Sequence, residues 1–545
     1  MKRVSVGVED FKEMIDMNYY YVDKTNLIKD LIGNKVILYT RPRRFGKTLN
    51  MSMLNYFFHI KEKENAYLFQ GLEISRDNEA ILHQNKYPVI SITLKEMKQS
   101  NFQEQLNDFK EIIVNIISTY KEVLHSCYLD EVEKEKLYAY YKGNVNEAQL
   151  GRSLLYISQC LEKHYAEKVV ILIDEYDVPL QHAYIQGYYD QMVGFLRNVF
   201  SAALKTNTAL QQGVLTGCLR IAKESIFTGL NNFMVNSIFD FDKQPRFGFT
   251  EAEVQMMLDA YDFHDHMEEV KKWYDGYKFG DAEVYNPWST TMYVAKQLMK
   301  ETKQAESFWA NTSSNDLVMK YIQEADTQLK KEFDILVHKG VIVKKIKPEL
   351  TYREMDEVDN IYSFLLFTGY LKKGKEFDKK TYELMIPNEE VREVYMNQFD
   401  QYFEEYKKGY KGELLSSLEN ENIERINEIL NKVLDKSISY YDNKESFYHG
   451  FLVGMLQEYE VESNKESGDG RFDIILYPKK ITGKVIVIEC KHSNSLATLI
   501  KDSQEGARQI IEKRYEEGIK AKGYLHMIGY GISFYKKQCY VCKSD

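Results

Sequence analysis

Gly46-Lys47-Thr48 is the densest piece of chemistry in the sequence. The apolar run Val36-Ile37-Leu38-Tyr39-Thr40 precedes it, and Leu49 to Phe58 reads as a helix. A strand, a tight loop and a helix in that order make a phosphate cradle, because loop N–H groups and the positive end of the helix face the anion. Lys47 is then expected to reach the β- and γ-phosphates, and the Thr48 hydroxyl to hold Mg²⁺. Arg43, Arg44, Phe45 and Gly46 are expected to line the same nucleotide. The position where such a loop usually opens with glycine is Arg41, followed by Pro42. The motif therefore needs a partner elsewhere in the chain.

Lys168-Val169-Val170-Ile171-Leu172-Ile173-Asp174-Glu175 supplies one. A run this apolar on consecutive positions is buried on both faces, as in a parallel sheet covered by helices. Asp174 would emerge at the carboxyl end of that strand, where open α/β sheets bind ligands. It is expected to hold Mg²⁺ through water, with Glu175 polarising the attacking water. Each signal alone has a plainer reading, as a loop or a core strand; the two in this order point to a nucleoside triphosphate. Gly213-Val214-Leu215-Thr216-Gly217 reads as a further strand, placing Thr216 beside the γ-phosphate or leaving it an ordinary strand-end hydroxyl. Arg197 and Arg220 are candidates for stabilising transition-state charge, and a solvated loop cation is the plainer account of Arg220.

A second constellation lies near the carboxyl end. Gly470-Arg471-Phe472-Asp473 opens the strand Ile474-Ile475-Leu476-Tyr477, and Lys484 to Ile488 leads into Glu489-Cys490-Lys491. Positions 489 and 491 share one face of a strand, and a neighbouring hairpin strand can bring Asp473 beside them. Hard oxygen ligands suit Mg²⁺ or Mn²⁺. A metal held there can activate water against a phosphodiester while Lys491 offsets charge on the phosphate. Glu445, at the start of a helix expected over Ser446 to Glu458, is a candidate third acid. A helix over Gln504 to Glu517 carries Gln509, which could face the site. The plainer reading is an amphipathic hairpin with a surface Glu489–Lys491 ion pair.

The rest of the chain must hold these groups in place. Its 545 residues suggest about three or four domains. With 44% apolar and 28% charged residues the composition is that of a folded globular protein. A formal charge of −10 gives no global basic footprint, so any nucleic-acid contact must be local. The 42 tyrosines suggest amphipathic surfaces or interfaces. No apolar stretch approaches the ~20 residues of a membrane span and no signal segment is evident, so a cytoplasmic protein without membrane association is expected. Cys539-Tyr540-Val541-Cys542 lacks a second pair and reads as a terminal strand.

Pro88 to Leu94 is another expected strand, and 102–165 a charged helical insertion. Thr250 reads as a helix N-cap opening a smaller helical lid. Between about 320 and 385 the pattern gives short helices and a strand-turn-strand centred on Phe364 to Tyr370. Runs at 524–529 and 531–534 would complete the last sheet. The expected division is a P-loop ATPase domain at 1–246, a helical lid at 247–320, a winged-helix-like or linker module at 321–386, and a nuclease-like domain at 387–545. The fold class expected is multidomain α/β: a parallel NTPase sheet with lid and middle module, then an α/β domain whose restriction-endonuclease-like character is what the resemblance of its motifs implies.

Taken together, Tyr21-Val22-Asp23-Lys24-Thr25, Arg41 to Thr48, Ile173-Asp174-Glu175-Tyr176-Asp177, and Ser463 to Asp473 with Glu489-Cys490-Lys491 resemble the AAA-ATPase-like proteins that carry a PD-(D/E)XK nuclease-superfamily domain. The resemblance implies that Arg-Pro-Arg-Arg-Phe-Gly-Lys-Thr is the normal loop of the family. It also implies an ATP site with Walker A and Walker B elements at Lys47, Thr48, Asp174 and Glu175, and a nuclease core at Asp473, Glu489 and Lys491. The expectation is an ATP- and Mg²⁺-binding hydrolase coupled to a metal-dependent nuclease acting on DNA or RNA, with Mn²⁺ an alternative at the second centre. The competing reading is a signalling or scaffold NTPase whose C-terminal fold binds without cutting. A homo-oligomer or a protein partner is compatible with either.

Overall fold

In the computed structural model, five strands form one parallel sheet: β1 (Val36–Thr40), β2 (Val89–Thr93), β3 (Val169–Asp174), β4 (Leu210–Gly217) and β5 (Phe233–Asn236), in spatial order β2-β3-β4-β1-β5. Every residue of β1 and β3 is buried, as helices on both faces require. The structure describes residues 2–544 apart from 221–225, 228–232, 241–244, 300–303, 310–326, 339, 357, 437–444, 457–459, 464–465, 468–469, 472–473, 479–482 and 514. Those residues fall into two units, one formed by 1–315 with 339–394 and the other by 316–338 with 395–545.

In the first unit, β4 lies between the strand that feeds the Gly-Lys-Thr loop and the strand that ends in Asp174. The register pairs Thr40 with Gly217 and Ile173 with Leu215, so the carboxyl ends of β1, β3 and β4 come level. Gly217 is required there: a Cβ would stand 2.5 Å from the Tyr176 ring and 2.7 Å from Asp177 Oδ1. The charged 102–165 segment forms the helices Phe102–Thr119, Glu131–Tyr141 and Ser153–Tyr165, the first two opened by Asn101 and Asp130 side-chain caps.

Thr250 caps the helix Glu251–Ala260 in a reciprocal box with Glu253. Glu253 also receives the buried Lys24 ammonium at 2.7 Å, which ties the amino-terminal segment to this helix. A hairpin, β6 (Tyr277–Phe279) and β7 (Ala282–Val284), follows. Next comes a small antiparallel sheet of β8 (Ile342–Lys345), β9 (Lys372–Asp378) and β10 (Thr381–Met385) in the order β8-β10-β9. The sequence places Phe364 to Tyr370 at the centre of a strand-turn-strand, but Phe364 to Thr368 form the end of a helix, Val358–Thr368. Gly369, at φ +90°, stops it, and the strand pair begins only at Lys372.

The second unit is built on β11 (Glu460–Ser463), β14 (Ile474–Tyr477), β15 (Lys484–His492), β16 (His526–Tyr535) and β17 (Gln538–Lys543), neighbours in that order; β12 (Glu466–Ser467) and β13 (Gly470–Arg471) pair separately. Only β15 and β16 run parallel. Ile486, Ile488 and Cys490 pack with Leu430, Leu452 and Tyr530, while Val485 and Val487 pack with Ile510, Tyr515 and Ile519.

Two sequence expectations are corrected in this unit. The single helix expected over 504–517 is two, Leu499–Glu512 and Tyr515–Ala521, because Tyr515 turns into the sheet and is fully buried. The runs at 524–529 and 531–534 merge from His526 onward into one strand, β16. Its Gly531 lets the helix Leu499–Glu512 lie on the sheet: a Cβ there would stand 2.0 Å from Ser503 O and 2.2 Å from Ala507 N.

Candidate functional site

At the carboxyl ends of β1, β3 and β4 five polar side chains converge. The loop reverses through Arg44 and Gly46, both at positive φ (+69° and +79°), and the following helix starts at Lys47, two residues earlier than its apolar pattern suggests. Lys47 is buried, and its Nζ donates to the carbonyls of Arg41 (3.2 Å) and Pro42 (3.1 Å). It lies 3.3 Å from Glu175 Oε1. Thr48 Oγ1 donates to Asp174 Oδ2 at 2.8 Å, and the Thr216 hydroxyl bonds the other oxygen of the same carboxylate. Glu175 takes up a left-handed conformation (φ +54°), and its buried Oε2 has no hydrogen-bond partner among the described residues. Such strain and an orphaned carboxylate oxygen concentrate at functional sites.

Asp177 completes the frame. Its Oδ2 accepts from the amides of Cys218 (2.8 Å) and Leu219 (2.9 Å), clamping the exit of β3 to the exit of β4. Burial, and then the charge of Glu175, raise the proton affinity of both Asp174 and Asp177. Burial pushes the Cys218 thiol up to about 12. Burial works against the charge on Lys47, but Cys218, Glu175, Asp177 and Asp174 together outweigh it and hold the ammonium above the usual lysine range. The site is thus one buried cation set among acids, at the carboxyl ends of the strands where such folds bind ligands.

The loop arginines take three directions. Arg41 is 1% exposed; its guanidinium donates to Thr40 O (2.9 Å), Asn236 O (2.9 Å) and Asn236 Oδ1 (2.6 Å) and lies over the Phe279 ring. In place of the usual glycine, it ties β1 to the end of β5. Arg43 donates to Gln181 Oε1 at 2.9 Å. Arg44 donates to Phe308 O at 2.8 Å and lies over Trp288. Phe45 is fully buried against Tyr277 and Phe279, so only its backbone faces the loop interior.

In the second unit, Glu489 and Lys491 share the face of β15 that meets the helices after it. Glu489 is 2% exposed, and its Oε1 accepts from the Tyr515 hydroxyl (2.6 Å) and from Lys513 Nζ (3.4 Å). Half-buried Lys491 donates to Gln509 Oε1 at 2.7 Å, so the glutamine on this helix does meet the lysine. Ile474 pairs with Ile488, making β14 and β15 adjacent antiparallel strands. Asp473 lies outside the described residues; Glu445 opens the helix Glu445–Met455, with its side chain likewise outside.

Residues 5–227, which include every group at the first site, match the family model described as a predicted AAA-ATPase. Residues 443–544 match that of the PD-(D/E)XK nuclease superfamily. This chain joins an AAA-ATPase-like domain to a PD-(D/E)XK nuclease-superfamily domain. It is also 25% identical over 330 residues to a curated protein of Azotobacter chroococcum mcd 1 described as "Uncharacterized protein in vnfD 5'region". That match covers 59% of this chain and 56% of the relative, so the chain spans little more than half of the relative's length.

Arg220 of the AAA-ATPase-like domain pairs at 2.5 Å with Glu349, which lies beyond the matched residues, and this gives that candidate arginine a structural partner. The domain's donor set fits a hard divalent ion: the Thr48 hydroxyl, the Asp174 carboxylate and the orphaned oxygen of Glu175 are all oxygens. Among the described residues no three His, Cys, Asp or Glu side chains form a ready-made cage. An ion at this site therefore needs phosphate oxygens or water to complete its shell, as Mg²⁺ usually does. In the nuclease-superfamily domain Cys539 is buried in the core and Cys542 meets the Ser503 hydroxyl. Among the described residues no helix is long and apolar enough to cross a membrane.

Asp177, Gln181 and Tyr515 were not singled out from the sequence as site residues. Asp177 had a local signal, standing three residues after the acid that ends an apolar strand. Gln181 and Tyr515 had none, since each meets its partner only through the fold.

Proposed function

We propose that the first domain binds and hydrolyses ATP with Mg²⁺, and that this cycle governs a metal-dependent nuclease in the second, acting on DNA or RNA in the cytoplasm. The observation that carries the reading is the Lys47–Glu175 and Thr48–Asp174–Thr216 cluster at the ends of three adjacent parallel strands. Lys47 would leave the loop carbonyls and Glu175 for the β- and γ-phosphates, releasing Glu175 to orient a water. Thr48 and Asp174 would hold Mg²⁺, which when bound neutralises charge on the phosphates. Thr216 fixes the Asp174 carboxylate from the neighbouring strand. In the second domain Glu489 and Asp473, with Glu445 as a third acid, would hold Mg²⁺ or Mn²⁺, and Lys491, oriented by Gln509, would offset charge on the scissile phosphate.

A second reading has a specific observation in its favour. The Glu489 carboxylate is 2% exposed and already receives Tyr515 and Lys513, as suits a fold that binds a partner without cutting. Only differential affinity of ATP for two states can drive any coupling.

The test uses the full-length protein with plasmid, single-stranded DNA and RNA, with and without ATP, Mg²⁺ and Mn²⁺. The proposal expects ATP binding that is lost in Lys47→Ala, and metal-dependent cleavage that is lost in Asp473→Ala with the ATPase rate unchanged. Undiminished ATP affinity in Lys47→Ala refutes the first half. ATP turnover with no cleavage of any substrate selects the non-cutting reading.

A further inference from the structure

Hydrolysis of a nucleoside triphosphate needs positive charge where the transferred phosphoryl group accumulates negative charge, and in many such enzymes a guanidinium from a second polypeptide brings it. The candidates nearest the site in sequence, Arg197 and Arg220, do not supply an obvious one: Arg220 is held by Glu349, and Arg197 sits in the last turn of the helix Tyr189–Phe200. Inside the loop itself the position is different. Arg41 points to β5 and Arg44 to Phe308, away from Glu175. Arg43 alone of the three turns across the end of β3, to Gln181 on the helix Val178–Gln186 that begins three residues after Glu175. Glu175 and Asp177, two of the three acids whose charge acts on Lys47, also act on the Arg43 guanidinium. Lys47, 3.3 Å from Glu175, and Arg43, bonded to the helix that follows it, are therefore two cations of one loop acting on the expected water-orienting group. As a residue Arg43 is half-buried, whereas Lys47 and Arg41 are buried.

We infer that Arg43 is a built-in arginine finger: a guanidinium supplied in cis by the phosphate loop that contacts the γ-phosphoryl group as the bond to ADP breaks. This rests on the ATP reading of the loop. In the step, a water oxygen bonds to the γ-phosphorus while its proton passes toward Glu175. The bond from that phosphorus to the β–γ bridging oxygen breaks, and ADP leaves with that electron pair. Arg43 neither gives nor takes a proton; it carries charge opposite the equatorial oxygens. Gln181 parks the guanidinium when no triphosphate is present. One consequence is that turnover per chain needs no neighbouring subunit.

The test measures ATP binding, steady-state hydrolysis and trapping of ADP with aluminium fluoride, a mimic of the transferring phosphoryl group, in the full-length protein, Arg43→Ala, Arg43→Lys and Lys47→Ala. The expected result for Arg43→Ala is an ATP Kd within a few-fold of wild type, kcat lower by about 10³-fold, and loss of trapping. Arg43→Lys, which keeps charge but loses the planar fork, falls between. Wild-type kcat per chain stays constant on serial dilution. Wild-type turnover or trapping in Arg43→Ala overturns the inference, as does a kcat that falls on dilution, while the ATP reading stands on the Lys47→Ala result. Loss of ATP affinity and a lower melting temperature in both Arg43 variants assigns Arg43 a structural role and also overturns it. A wild-type protein that binds no ATP overturns both readings.

Discussion

Replacing Lys47 by methionine keeps most of the buried stem and removes only the charge. In the native protein that charge sits 3.3 Å from Glu175, in the field of Asp174 and Asp177, with the side chain 2% exposed. Taking it away leaves Glu175 without its ion-pair partner and only the half-buried Arg43 to offset the acids, and breaking a buried pair from one side costs roughly 3–5 kcal/mol. In a domain of this size that is a drop of roughly 5–10 °C in its thermal transition. The penalty depends on pH with a definite sign. Asp174 and Asp177 already hold their protons more tightly folded than unfolded, so the native state binds more protons and stability falls as pH rises from the ordinary carboxylate range through the raised values. Without Lys47 these values rise further and the window widens upward. The deficit relative to wild type should therefore be largest at pH 8 and shrink toward pH 5.5, where the acids are neutralised by protons instead of by lysine. Adding Glu175→Gln to Lys47→Met should recover much of the loss, giving a clear coupling term in a double-mutant cycle. Thermal unfolding of the four proteins across this pH range measures it. A Met variant that melts with wild type at pH 8, a deficit that ignores pH, or strictly additive single mutants would refute the buried-cation account.

Glu390 makes a second pH-dependent prediction. It is fully buried, bonded to Ser289 Oγ (2.8 Å) and Phe308 N (3.0 Å), and burial pushes its carboxyl up to about 7. Its contribution should weaken as pH climbs from about 4.5 through 7, and Glu390→Gln should flatten that slope and melt no lower than wild type at pH 8; a steeper slope in the variant contradicts this. Close packing makes the third. Gly531→Ala forces a Cβ to 2.0 Å from the Ser503 carbonyl and should destabilise the second unit by about 1–3 kcal/mol or more. Gly409→Ala, within the helix Glu389–Glu419 and with nothing within 4 Å of its Cβ, should instead stabilise by about 0.5–1 kcal/mol. Equal unfolding midpoints for the two variants would show that helix and sheet are not in the contact described.

Local, consecutive signals were the readable ones. The strand-loop-helix around Gly46-Lys47-Thr48 and the fully apolar β3 are legible because each is specified by neighbours within about ten residues, and the Thr250 cap is written in four. Phe364 to Tyr370 misled for the same reason: a short apolar run fits a helix or a strand, and packing chose the helix.

What sequence determined by itself was the set of chemical groups and the strands that end in them. Tertiary structure alone decided which groups meet. β4 intervenes between β1 and β3, so Thr216 and Thr48 reach one carboxylate from residues 168 positions apart, and Asp177 finds the Cys218 amide. Glu489 is closed over by Tyr515 because the chain breaks one helix into two and buries that tyrosine against β15. Backbone propensity acts over a turn or a strand, whereas burying a charge beside its partner depends on strand order and helix packing, which no short window of residues encodes.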